Sequence, residues 1–145
     1  MNAKHAAAAL VAALLAVFSA RAAEAPRGVA TTPEGLAWKE MSAKAPGVMI
    51  ATVKGDYLQG PWAGFIRFPA GSKSGLHTHS GEMKIVIVSG TFRYGPTAEA
   101  EKPYGPGSYV VIPRDAPHTN SQPEGCLMYI EQDERFDNKA AVAAK

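Results

Sequence analysis

The sequence predicts an all-β domain with a closed or sandwiched antiparallel architecture. Pro and Gly recur at intervals of about ten residues, which is the spacing of turns between short strands. The segments between them are rich in Val, Ile, Phe and Tyr, residues that favour strands. Helical periodicity appears only near the amino terminus and weakly at the carboxyl terminus. This combination is typical of a barrel or a sandwich.

Five apolar segments bounded by turn residues are predicted to be strands. In chain order they are GVMIATV (47–53), WAGFIRF (62–68), KIVIVSGTFRY (84–94), SYVVIP (108–113) and CLMYIEQ (126–132). The second of them is apolar on both faces except at Arg67, which suits the wall of a small barrel. Arg67 is expected either to lie in solvent or to point into a pocket.

The first segment, residues 1–22, is predicted to be a secretory signal peptide. It has a short polar start, an uncharged apolar run over residues 6–18 and the small-residue cleavage sequence Ala20-Arg21-Ala22. The apolar run is shorter than the roughly 20 residues of a membrane-spanning helix. An uncleaved anchor is the alternative. Cleavage predicts a periplasmic or secreted protein with no part in the membrane.

A leader over 23–35, a single barrel domain over 36–132 and a polar tail over 133–145 complete the predicted organisation. The 145 residues suffice for one domain of this kind. The tail, DERFDNKAAVAAK, is polar and rich in alanine, and it is expected to be loosely held.

Charge and cysteine content narrow the classes of function. Removing Lys4 and Arg21 with the signal peptide leaves equal numbers of basic and acidic residues, and no basic cluster suggests nucleic-acid binding. Cys126 is the single cysteine, so the chain cannot form an internal disulfide. Its apolar neighbours favour a small buried hydrophobe over a reactive thiol.

Three histidines follow the signal peptide and form the candidate metal site. Residues i and i+2 of a strand share a face, so His77 and His79 can converge on one point. His118 follows a glycine turn, a strand and a proline turn, much as the pair follows the turn-rich segment PAGSKSGL. An H-x-H pair alone also occurs on ordinary surfaces. Neutral imidazole is, however, the commonest side-chain ligand of metals, and three imidazoles suit transition metals.

The two histidine segments resemble the paired motifs of the cupin superfamily. The first motif, G-x5-H-x-H-x(3,4)-E-x6-G, is matched by Gly71, His77, His79 and Gly90. The second motif, G-x5-P-x-G-x2-H-x3-N, is matched by Gly107, Pro113 and His118. The chain is also similar to small secreted bacterial cupins and to the cupin half of some anti-sigma factors. The resemblance implies a single-domain cupin, a double-stranded β-helix or jelly-roll barrel, after the signal peptide.

The chain departs from both motifs. Met83 occupies the glutamate position of the first motif, and Glu82 lies one residue early, which turns it to the opposite face unless a bulge intervenes. Met83 is expected to be an apolar wall rather than a weak soft ligand. In the second motif Asp115 replaces the glycine and Gln122 replaces the asparagine, with Asn120 nearby.

The resemblance implies one divalent transition metal, Fe, Zn, Ni, Mn or Cu, held by His77, His79 and His118. Three-histidine thiol dioxygenases and diketone-cleaving enzymes of the superfamily have such a site. Four readings stay open: an exported metal-binding cupin of unassigned activity, an iron-dependent oxygenase, a module that binds a small ligand or metal, and a metal-free structural cupin. A hydrolase or isomerase needs a carboxylate base, for which Glu82 is the only nearby candidate.

An apolar pocket beside the histidines is expected to receive a small-molecule ligand or substrate. The strand residues predicted to line it are Phe65, Met83, Ile85, Ile87, Tyr109 and Tyr129. Arg67 or Tyr129 could orient an anionic substrate there. The resemblance also implies a homodimer as the assembly.

Overall fold

Two antiparallel sheets form the fold from Thr31 onward in the computed structural model, which describes Gly28 and residues 30–142. The predicted signal peptide and residues 23–27 and 29 of the predicted leader lie outside the described residues. The strands, in chain order, are β1 (Lys39–Glu40), β2 (Met49–Gly55), β3 (Trp62–Phe68), β4 (Ser72–Thr78), β5 (Met83–Gly90), β6 (Phe92–Gly95), β7 (Lys102–Tyr104), β8 (Tyr109–Ile112), β9 (His118–Gln122), β10 (Cys126–Gln132) and β11 (Lys139–Ala140). Short 3-10 helices span Pro33–Gly35 and Ala98–Ala100, and in this part of the chain no helix could cross a membrane.

The strand order gives a jelly-roll barrel. The first sheet has the order β1-β2-β3-β10-β5-β8, and the second has the order β11-β4-β9-β6-β7. The chain passes repeatedly from one sheet to the other, for example from β3 to β4 and from β4 to β5. The predicted all-β jelly roll is therefore confirmed.

The five segments predicted as strands coincide with β2, β3, β5 with β6, β8 and β10. Strands β4 and β9 were not predicted, because their sequences SKSGLHT and HTNSQ lack an apolar alternation. Except for Leu76, their side chains that line the cavity at the candidate site are polar. The other three strands missing from the prediction have only two or three residues each.

The first sheet supplies most of the apolar core. In β5 the side chains of Met83, Ile85 and Ile87 are buried, whereas their strand neighbours Lys84 and Val86 are exposed, as expected for a period of two. Inward side chains of β2, β3 and β10 complete this wall: Ile50, Ile66, Met128 and Ile130.

Cys126 is buried in the same core, which confirms its predicted role as a small buried hydrophobe. Burial raises the pKa of its thiol to about 11, so the thiolate that would react is scarce at neutral pH.

Gly90 allows the chain to leave the first sheet at the end of β5. Its φ is +75°, and a Cβ at this position would lie 2.2 Å from the carbonyl oxygen of Gly125. Both the left-handed backbone and the close approach of the two backbone segments therefore require glycine at position 90. Two residues later β6 begins in the second sheet.

Replacing Gly90 with alanine should lower the free energy of unfolding by at least about 2 kcal/mol, because strain and a backbone clash add. Urea denaturation of the full chain measures this effect. Gly105→Ala is the matched control, since a Cβ at Gly105 meets nothing within 4 Å. Equal stability of the two variants would show that Gly90 does not constrain this crossing.

Candidate metal centre

The three histidines lie together inside the barrel. His77 is in β4, His79 follows the end of β4, and His118 begins β9. All three are buried, with exposed fractions of 3%, 4% and 1%. His79 lies beyond the strand, so the expected alternation within one strand does not by itself bring it beside His77. A loop and a long-range contact place it there instead.

A bulge in β4 aligns two of the rings. The pairing of β4 with β9 joins Ser74 to Asn120 but His77 to His118, so one extra residue lies in β4 between these two pairs. Without that residue Leu76 would lie opposite His118, and His77 would point to the other face.

The geometry of the cluster can hold a metal ion. The ring centroids are 4.2 Å apart for His77 and His118, 4.9 Å for His77 and His79, and 5.3 Å for His79 and His118. Their candidate ligand nitrogens all lie within 4.8 Å of one another. Among the described residues, no other group of His, Cys, Asp or Glu meets this condition.

Backbone carbonyls fix the tautomer of all three rings. The acceptors are the oxygen of Gly75 for His77 (2.7 Å), of Ala116 for His118 (2.9 Å) and of Asp137 for His79. A carbonyl only accepts, so each Nδ1 carries the proton and each Nε2 keeps a free lone pair. The Nε2 of His118 is buried and has no hydrogen-bond partner. These residues therefore fit a metal bound through Nε2 atoms.

Burial keeps the imidazoles neutral. It lowers the pKa of His118 from its ordinary 6.5 to about 4, with further lowering by the neighbouring rings of His77 and His79. It also lowers the pKa of His77 and of His79, against the opposing effect of their carbonyl bonds. Neutral imidazole is the form that binds metals.

Among the described residues, no carboxylate joins the three histidines as a candidate ligand. The side chain of Glu82 lies outside the cavity, with Oε1 3.7 Å from Nζ of Lys84. Met83 is buried and lines the same cavity as the histidines. The position that holds glutamate in the cupin motif thus presents a thioether to the interior.

A cavity of about 950 Å³ extends from the histidines between the two sheets. One wall is apolar and comes from the first sheet: Ile66, Met83, Ile85, Met128 and Ile130. The facing wall is polar and comes from β4 and β9: Ser72, Ser74, Asn120 and Gln122. Lys44 and Lys73 are also part of the lining, to which no acidic side chain within the described part of the chain contributes.

Gln122, in the asparagine position of the second motif, extends the polar wall away from His118. Strand alternation directs His118, Asn120 and Gln122 of β9 to the interior. The Nε2 group of Gln122 donates to Oδ1 of Asn120 over 2.9 Å.

The prediction that Phe65, Tyr109 and Tyr129 line the pocket is wrong, and so is the alternative that placed Arg67 in it. None of them is part of the cavity lining. Phe65 and Tyr129 pack edge to face on the outer side of the first sheet, 5.3 Å apart, and the Tyr129 hydroxyl donates to Glu131. The alternating neighbours of Phe65 and Tyr129 take the inward positions, so these two side chains cannot.

Arg67 and Tyr109 share that outer face. The Arg67 guanidinium lies 4.3 Å from the ring of Trp38, and Tyr109 is 60% exposed. Of the other predicted lining residues, Met83 and Ile85 line the cavity. Ile87 is buried in the core but is not part of the lining.

The carboxyl-terminal tail contributes to the site, contrary to its expected looseness. Its residues Lys139–Ala140 form β11, which pairs with β4 beside His77. The ring of Phe136 lies 5.4 Å from that of His79, and the carbonyl of Asp137 is the acceptor for His79. Phe136, an aromatic residue in an otherwise polar segment, is the one sequence feature that could have indicated this contact.

Comparison with known proteins matches this chain to one family model and to solved structures of similar fold. The family model of the ChrR cupin-like domain matches residues 26–134. An RmlC-like cupin from Ralstonia eutropha is 20% identical, with a TM-score of 0.61 over 81% of this chain and 78% of that one. The polyketide cyclase RemF from Streptomyces resistomycificus is 15% identical, with a TM-score of 0.64 over 82% and 89%. A candidate acetylacetone dioxygenase from Methylibium petroleiphilum is 19% identical, with a TM-score of 0.59 over 73% and 76%.

These structural likenesses show a shared fold. No curated protein matches the chain significantly.

The metal-free protein should melt at lower temperature as the pH falls from about 6.5 to about 4. In this window the unfolded chain protonates His118, whereas the folded state excludes the proton, so acid favours unfolding. Above this window the stabilisation is fully present. Calorimetry of the full chain in a chelating buffer measures this trend. The dependence of the melting temperature on pH should be weaker in His118→Gln. A constant melting temperature across the window would contradict the burial of neutral imidazoles.

Proposed function

We propose that this chain, which belongs to the ChrR cupin-like domain family, binds one divalent transition metal at His77, His79 and His118. The observation that carries this proposal is the shared tautomer of the three rings. Each Nδ1 is held by a backbone carbonyl, which leaves three Nε2 lone pairs for one ion. The buried Nε2 of His118, which lacks a partner, would gain one.

The cavity favours a small anionic ligand with an apolar body. Three neutral imidazoles add no negative charge, so a bound divalent ion would keep its full charge, and none of the described acidic residues lines the cavity. The apolar wall can pack against a carbon skeleton, while Ser74 and Asn120 on the facing wall can hydrogen-bond its polar edge. When bound, the ion supplies Lewis acidity and open positions for oxygen ligands.

A hydrolase or isomerase that uses a carboxylate base is disfavoured. Glu82 faces away from the cavity and lies beside Lys84. General acid–base catalysis needs the base within hydrogen-bond reach of the substrate. The second candidate function is therefore an iron-dependent oxygenase, which needs no such base. The likeness in fold to a candidate acetylacetone dioxygenase supports this alternative.

Untagged protein should retain about one transition metal ion per chain. Because each ligand histidine supplies one of three donors, His77→Ala and His118→Ala should each weaken metal affinity by more than about 100-fold. Elemental analysis and competition with a chromophoric chelator give both quantities. Glu82→Gln is the matched control and should bind as the wild type, since its carboxylate lies outside the cavity.

The identity of the retained metal, together with an oxygen-uptake assay, separates the competing functions. Iron at near-unit stoichiometry, with oxygen uptake on addition of a diketone or a thiol, would favour the oxygenase. Zinc or nickel without turnover would favour a binding protein. If no metal is retained and His77→Ala changes neither metal content nor melting temperature, the metal proposal fails in favour of a structural cupin.

Export is also proposed, because residues 1–22 combine an uncharged apolar run with a small-residue cleavage sequence. Expression of the full sequence in a bacterial host, followed by periplasmic extraction and intact-mass analysis, should give a chain that begins at Ala23. A full-length mass in the membrane fraction would instead support the uncleaved anchor. The homodimer stays a prediction.

A further inference from the structure

The carboxyl-terminal strap, residues 136–141, is attached along β4 at the metal centre. Its Lys139 and Ala140 pair with Thr78 and His77. Additional backbone bonds hold both ends of the strap: Phe136 N to Tyr57 O at 2.6 Å, and Ala141 N to Leu76 O at 3.0 Å. The strap thus belongs to the second sheet in the same way as any edge strand.

His79 depends on this strap, unlike the other two histidines. His77 and His118 bond to carbonyls two residues earlier in the chain, so local backbone geometry orients both rings. The carbonyl that orients His79 belongs to Asp137, which is 58 residues away in sequence. His79 also lies past the end of β4, where no strand pairing constrains it.

The Asp137 carboxylate fixes the position of its own carbonyl. One oxygen accepts from the backbone N–H of Ser80 over 2.8 Å, and the other accepts from the Ser80 hydroxyl over 2.5 Å. Asp137 therefore contacts two consecutive residues, His79 through its carbonyl and Ser80 through its carboxylate. This bidentate contact keeps the carbonyl aimed at the His79 ring.

Asp115 provides a further attachment of the strap. Its carboxylate lies 2.7 Å from Nζ of Lys139, and its backbone N–H donates to the carbonyl of His79 over 2.9 Å. Asp115 has a φ of +56° and occupies the glycine position of the second cupin motif. A glycine would adopt this backbone conformation at least as readily but would have no carboxylate to pair with Lys139.

We propose that Asp137 is a positioning residue of the metal centre and that docking of the strap sets the orientation of His79. The proposal rests on the proposed function, because it takes His79 to be a ligand. Groups that orient a ligand histidine typically contribute 10- to 100-fold to metal affinity. The strap therefore makes metal affinity depend on the carboxyl terminus as well as on the two histidine motifs.

The test compares Asp137→Ala with Asp137→Asn in the full chain, with Co²⁺ as the probe. The alanine variant loses both contacts to Ser80. The asparagine side chain can still accept from the backbone N–H of Ser80. Asp137→Ala should weaken Co²⁺ affinity by about tenfold or more and change the visible absorption spectrum of the bound ion. Asp137→Asn should restore the affinity to within a few-fold and restore the spectrum.

Asp133→Ala is the matched control. Asp133 also accepts from a backbone N–H of the same loop, that of Glu82, over 2.8 Å, and it pairs with Arg114 over 3.2 Å. Among the bonds of the described residues, none joins Asp133 to His79. This variant should keep the wild-type affinity and spectrum. If Asp137→Ala fails to fold, Ser80→Ala removes only the hydroxyl bond and should still weaken Co²⁺ binding measurably and alter its spectrum.

Two results would overturn the inference alone. The first is wild-type Co²⁺ affinity and spectrum in Asp137→Ala, and in Ser80→Ala where that variant is used, while His118→Ala loses the ion. The second is equal weakening by Asp137→Ala and Asp133→Ala in parallel with their melting temperatures, which would indicate a merely structural role. Failure of the wild-type chain to bind Co²⁺, Zn²⁺ or Fe²⁺ would overturn the proposed function together with this inference.

Discussion

Hydrogen bonds from three Nδ1–H groups to backbone carbonyls are the constraint on which the candidate site depends. They fix three buried imidazoles in one tautomer and leave the three Nε2 lone pairs free, and the candidate ligand nitrogens of the three rings lie within 4.8 Å of one another. Burying neutral imidazoles costs less than burying charged ones, and their lowered pKa values follow from the same burial. Three distant parts of the chain, β4, the turn before β9 and the strap, have to be in place to supply these carbonyls.

The missing carboxylate changes what the site can do. A divalent ion held by three neutral ligands retains its charge, which favours an anionic oxygen ligand over a neutral one. Met83 leaves the apolar wall of the cavity uninterrupted next to the histidines. The site therefore differs from that of a four-ligand cupin both in charge and in the polarity beside the ion.

The sequence predicts the barrel and the three histidines well because both leave local patterns. Apolar strands such as Met83–Gly90 alternate with a period of two, and the spacing of His77, His79 and His118 is specific. The sequence-based prediction fails for Phe65 and Tyr129, because a strand that is apolar on both faces does not reveal which face is inward. It also fails for the tail, since Asp137 acts through a backbone carbonyl, and any residue type carries one.

The most direct test of the account is X-ray absorption spectroscopy of the full chain loaded with one equivalent of zinc or iron. The account predicts three imidazole nitrogens at about 2.0–2.1 Å for zinc, with the remaining positions filled by oxygen from solvent or buffer. A sulfur neighbour from Met83, or fewer than three imidazoles around the ion, would contradict it.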